Sequence, residues 1–78
     1  MNSNEFRPLF DRHVAFVWRV LRRHGVPPNE LEDGCQEVFL VLFKRYAEFE
    51  HRSSLRTFLY GIAVRVASAL RRRAHHRR

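Results

Sequence analysis

The sequence predicts an all-α protein, a compact bundle of three main helices, on three observations. Apolar residues recur at helical spacing in three separate stretches, about residues 7–24, 30–46 and 54–72. Turn-forming and capping residues fall between them, with Gly25, Pro27 and Pro28 in the first gap and Ser53 and Ser54 at the end of the second. A chain of 78 residues can bury one modest core and no second one, so the three helices must share it as a single domain spanning 1–78. Hydrophobic residues make up 45 %, with seven Phe, a balance that folds despite the many arginines.

In the first helix, Pro8 is tolerated if it falls in a first turn, and Gly25 stands where a helix ends in the left-handed conformation. Phe6, Leu9, Phe10, His13, Val14, Val17, Leu21 and His24 share one broad face, widened by Phe16, Trp18 and Val20. Arg12, Arg19, Arg22 and Arg23 take the remainder. His13 and His24 read as hydrogen-bonded edge residues, since no third metal ligand is in view. Residues 26–29, VPPN, form a stiff turn in which Asn29 is placed to cap the second helix and, with Glu32, resembles a capping box.

On the second helix, Leu31, Cys35, Val38, Leu42 and Tyr46 make one apolar face. Glu30, Glu32 and Asp33 sit in the first turn, where the helix dipole favours acids. Gln36 and Glu37 lie beyond that turn and need another reason. Phe39, Leu40, Val41 and Phe43 make the second half apolar almost all round, more than one neighbouring helix can cover. Either this helix is central and contacted on several sides, or part of it docks on a partner.

Residues 47–52 break the period and read as a short ordered loop with Phe49 tucked inward; the 47–53 connection has room for an extra short helix. Ser53 or Ser54 caps the third helix, whose buried stripe is Leu55, Phe58, Leu59, Ile62, Val66 and Ala69 or Leu70. Opposite lie Arg56, Thr57, Tyr60, Gly61, Val64, Arg65, Ser68, Arg71 and Arg72. The basic tail, 71–78, is expected to fray.

Charge is distributed unevenly. Residues 1–26 hold five Arg against Glu5 and Asp11; residues 27–50 hold Lys44 and Arg45 against six acids; residues 51–78 hold eight Arg and no acid, so the thirds carry +3, −4 and +8. Arginine without lysine favours a planar, bidentate donor suited to phosphate, and a helix face lacking Glu and Gln suits an acidic polymer, so nucleic acid is the expected contact. One cysteine excludes an internal disulfide, and no Cys/His spacing suggests zinc, so neither metal nor cofactor is expected. There is no signal-peptide core and no run of about 18 apolar residues, so a cytoplasmic chain without membrane insertion is expected. No Ser/His/Asp set, close carboxylate pair or glycine-rich phosphate loop suggests an enzyme.

The stretch D-x-x-Q-E-V-F at Asp33, Gln36, Glu37, Val38 and Phe39 stands ahead of Ser54, Leu55, Arg56, Leu59, Ile62 and Ala63. This pair of motifs at this separation resembles the region-two domain of an extracytoplasmic-function (ECF) sigma factor, the promoter-reading subunit of bacterial RNA polymerase, over Phe6 to about Arg73. The resemblance implies that Asp33, Gln36, Glu37, Leu40 and Phe43 bind the clamp helices of the polymerase largest subunit. It implies that Arg52, Ser53, Ser54, Arg56, Thr57, Tyr60, Gly61, Val64, Arg65, Ser68 and Arg72 contact promoter DNA, holding a flipped-out non-template base of the −10 element. An anti-sigma factor could cover the same polymerase-binding patch.

Two departures bear on the carry-over. Many relatives have Asn at the place of Arg65, and an acid or Asn at that of Ala69, so sequence preference does not transfer. A full member also carries a domain that reads the −35 element (region 4), which is not expected within these residues. Two other readings compete: a homeodomain-like or helix-turn-helix DNA-binding module, and a basic helical module that binds an acidic protein or membrane surface. The first lacks an outward Asn on the third helix to read adenine, and the second has only Tyr60 and Val64 as outward apolar residues there.

Overall fold

Gly25 fixes the end of the first helix, α1 (Ser3–Arg23), by taking φ of 90°. The Gly25 N–H then reaches Arg22 O at 3.1 Å and the Val26 N–H reaches Leu21 O at 3.1 Å, the paired bonds of a Schellman cap. Val26 turns back onto Leu21, and both enter the core. In this computed structural model, which describes residues 3–49 and 53–76, α1 begins before the expected residue 7. Pro8 therefore lies inside the helix rather than in its first turn, where it removes one hydrogen bond near a frayable end.

The expected Asn29 cap does not form. The two prolines set up a 3-10 turn, Pro28–Glu30, in which the Glu30 N–H bonds Pro27 O at 2.9 Å. This turn runs straight into the second helix, α2 (Leu31–Arg45), and the Leu31 N–H bonds Pro28 O. Backbone carbonyls thus serve donors that Asn29 was expected to serve, and no side chain caps α2. A second 3-10 turn, Tyr46–Glu48, is the extra short helix, one residue earlier than expected, closed by an Arg45–Glu48 ion pair at 3.1 Å. Phe49 packs inward, its ring centre 6.1 Å from Tyr46 and 5.1 Å from Phe58.

Ser54 rather than Ser53 caps the third helix, α3 (Leu55–His76), its Oγ accepting the Thr57 N–H at 3.1 Å. The helix continues to His76, beyond the expected end at residue 72.

Each helix packs on both others, and the described residues contain no strand. Phe39, Leu21, Leu42, Leu59, Val17 and Val38 fill the centre. Ala63 and Ala67 on α3 are fully buried, and their small side chains let the helices approach. Packing is also tight at Gly34, where a Cβ would meet Leu21 Cδ1 at 3.1 Å and Leu70 Cδ1 at 3.2 Å. Phe39 enters the core beside Phe10, with ring centres 4.7 Å apart, so part of the apolar excess on α2 is explained by burial. Trp18 leaves the expected face and is 36 % exposed. Cys35 sits in the core, where burial pushes its thiol up to about 11.

Candidate functional site

Two surfaces remain after the core is closed. On α2, Asp33, then the neighbours Gln36 and Glu37, then Leu40 and Phe43 recur every three or four residues and form one exposed stripe. Leu40 is 55 % exposed and Phe43 48 %, although both are large apolar residues in the middle of the chain. No hydrogen bond or ion pair engages Asp33, Gln36 or Glu37 among the described residues. Phe43 is anchored edge-on against Phe6 of α1 at 5.9 Å, and Phe6 in turn meets Phe39 at 6.2 Å. Phe6 and the exposed Lys44 thus border this stripe, and the sequence reading did not include them. Phe6 was assigned to a core face, and only the crossing of α1 over α2 brings it to the edge.

On α3, the expected residues divide by what their side chains already do. The Ser54 hydroxyl lies 3.0 Å from Thr57 Oγ1 as well as accepting the Thr57 N–H, so these two are tied into the cap. Ser53 is exposed, with its hydroxyl 3.4 Å from the Ser54 carbonyl it donates to. The Arg56 guanidinium lies over the Phe16 ring at 4.1 Å, a cation–π contact joining α3 to α1. Tyr60 is 46 % exposed, with its hydroxyl 3.5 Å from His24 Nε2. A Cβ at Gly61 would meet nothing within 4 Å.

Farther along, Val64 is half-buried against the core and does not stand outward as expected. Arg65 is exposed; Ser68 is half-buried and accepts a bond from Arg72 Nη1 at 2.8 Å. Arg71 turns away from the face to donate to the His24 carbonyl, bracing the C-terminus of α1. Arg52 lies outside the described residues.

The two surfaces adjoin across a groove of about 210 Å³ between α2 and α3. Its floor includes Val41, Ile62 and Val66, and Glu37, Arg45 and Arg65 stand on its rim. On the α1 side the field is positive. His13 is held below its ordinary value first by burial and then by the Arg12 and Arg56 guanidiniums. Among the described residues no group of His, Cys, Asp or Glu is arranged to hold a metal ion, and no helix is long and apolar enough to cross a membrane.

The class defined by this architecture is a small three-helix domain with a cationic third helix. The sequence model of the family described as sigma-70 region 2 matches residues 9–77, and the chain belongs to that family. Region 2 of a sigma factor serves promoter recognition and RNA polymerase binding in transcription initiation, and the family is not one of enzymes. No curated protein and no solved structure matches the chain.

Proposed function

We propose that this chain is the region 2 domain of an ECF-type sigma factor acting in the cytoplasm. Its α2 stripe docks on the clamp helices of the polymerase largest subunit, with Leu40 and Phe43 covering the centre and Asp33, Gln36 and Glu37 facing basic residues. The loop before α3 and the outer face of that helix hold a flipped-out non-template base of the −10 element and its flanking phosphates. In this reading Arg52, Arg56, Arg65 and Arg72 contact the phosphates, and Ser53 a base edge. Ser54 and Thr57 act mainly through the cap that orients this loop. An anti-sigma factor, where one exists, would compete for the α2 stripe.

The observation that carries the docking half is the pairing of exposed Leu40 and Phe43 with three polar side chains that no hydrogen bond or ion pair engages among the described residues. Apolar anchors within a polar rim are the usual layout of a protein interface. The test is capture by bacterial core polymerase, comparing the chain with a Gln36→Ala, Glu37→Ala variant. The variant is expected to lose about 2 kcal/mol of binding with Tm nearly unchanged, because both side chains are exposed. Equal losses of fold and binding would return the two residues to a structural role.

A further inference from the structure

Phe43 carries the largest apolar side chain of the α2 stripe, and its own helix does little to fix it. The ring is 48 % exposed and stands close to the end of α2 at Arg45. A helical phenylalanine has two common χ1 rotamers, near 180° and −60°, and an exposed ring can exchange between them. A partner that covers the ring must freeze it, and each side chain immobilised on binding costs affinity.

What holds the ring comes from α1. Phe6 meets Phe43 edge to face, with centres 5.9 Å apart and planes at 78°. Phe6 is fixed in turn by two more rings. It stands at 86° to Phe39 at 6.2 Å and stacks on Phe10 at 6.2 Å, while Phe10 lies 4.7 Å from Phe39. Phe6, Phe10 and Phe39 therefore close a triangle whose inner corner, Phe39, is 1 % exposed. Among the ring contacts of the described residues, Phe43 joins this triangle through Phe6 alone.

The backbone beneath Phe6 does not account for its place. Pro8 has no N–H, so the Asn4 carbonyl lacks the donor one turn on, and the start of α1 is held largely by side chains. Burial explains two of the three ring contacts, since Phe6 is half-buried against the core and meets Phe39 and Phe10 there. The third contact buries little for the fold, because Phe43 stays half exposed with it in place. Its effect is to favour one orientation of the ring.

We infer that Phe6 is a positioning residue for docking: its edge-on contact holds the Phe43 ring in one orientation before a partner arrives. The inference rests on the proposed docking of the α2 stripe on polymerase, and it makes the start of α1 part of a site otherwise confined to α2. Phe6 acts through Phe43 and need not touch the partner.

The test is a titration of bacterial core polymerase with the full chain and with Phe6→Leu, Phe43→Ala, the two combined, and Val20→Ala. The last is a core change on α1 that lowers Tm and serves as a stability control. Phe6→Leu keeps an apolar side chain at a half-buried position and is expected to weaken capture about 2- to 10-fold, the range for one side chain left to be frozen on binding. In the Phe43→Ala background the same change should cost nothing further. Val20→Ala should bind like the parent at a temperature where both are folded. Fluorine NMR of 4-fluorophenylalanine incorporated at position 43 reads the ring without polymerase, and its shift should move toward that of an exposed, averaging ring in Phe6→Leu. Capture of Phe6→Leu equal to the parent would overturn the inference. So would an equal loss with and without the Phe43 ring, a matching loss in Val20→Ala, or an unmoved fluorine shift. A parent chain that core polymerase never captures removes the docking reading and this role with it, even where the fluorine shift shows Phe6 holding the ring, whereas a captured parent with an indifferent Phe6→Leu removes the role of Phe6 alone.

Discussion

Gly34 and Gly61 both lie within helices, and the surroundings of each give the missing side chain opposite consequences. At Gly34 a methyl would press on Leu21 and Leu70, both buried and with little room to yield. Overpacking of that kind costs about 1–3 kcal/mol, against a gain of about 1 from replacing glycine in a helix, so Gly34→Ala is expected to destabilise in urea titration. At Gly61 the same change meets open space and should stabilise by up to about 1 kcal/mol. It should also weaken strand binding, because Gly61 belongs to the α3 face proposed to hold the strand. A stabilised Gly61→Ala chain that binds strands like the parent would remove Gly61 from the interface. Gly25 was legible in the sequence because a helix cap is local. Gly34 was not, since its reason is two leucines far away in the chain.

At the scale of elements, α2 shows what periodicity can and cannot decide. Leu31, Cys35, Val38 and Leu42 were readable as a buried face because helical spacing alone puts them together. Phe39, Leu40 and Phe43 were not separable, since a helix that is apolar nearly all round gives no phase; only the position of α1 sends Phe39 inward and leaves the other two out. The capping box failed for a related reason: the 3-10 turn imposed by the prolines meets the same donors through the backbone. Stability should follow the same division. Leu42→Ala is expected to cost roughly 2–4 kcal/mol in urea titration. Leu40→Ala should stay within about 0.5 kcal/mol while weakening polymerase capture. Comparable losses of stability from both changes would place Leu40 in the packing of the domain.

For the whole molecule, net charge of +7 is divided so that residues 1–26 and 51–78 carry the excess of cations and residues 27–50 the excess of acids. The arginines of α1 and α3 meet across the gap that holds Phe16 and Arg56, and the compact state bears their repulsion. His13 lies within that field, and burial adds to its effect. As pH falls, the unfolded chain protonates this residue near its ordinary 6.5, while the folded chain resists, through burial first and Arg12 and Arg56 second. The unfolded state therefore binds more protons below that pH, and stability declines as pH falls through it. Sodium chloride screens exposed charges over about 8–10 Å at moderate concentration, and so should act oppositely on folding and on binding. Raising it from about 0.05 to about 0.5 M is expected to raise Tm, with a larger rise at a pH low enough to protonate His13 in the folded chain, below its ordinary range, where the added charge joins the repulsion. The same change should sharply weaken strand binding, because each phosphate contact releases counterions. His13→Gln should remove the extra rise at low pH and leave the salt dependence of binding intact. The measurements are thermal melts and strand anisotropy over one salt series at two pH values. A Tm that falls as salt rises would mean that attractive pairs, not arginine repulsion, dominate the surface of the folded domain.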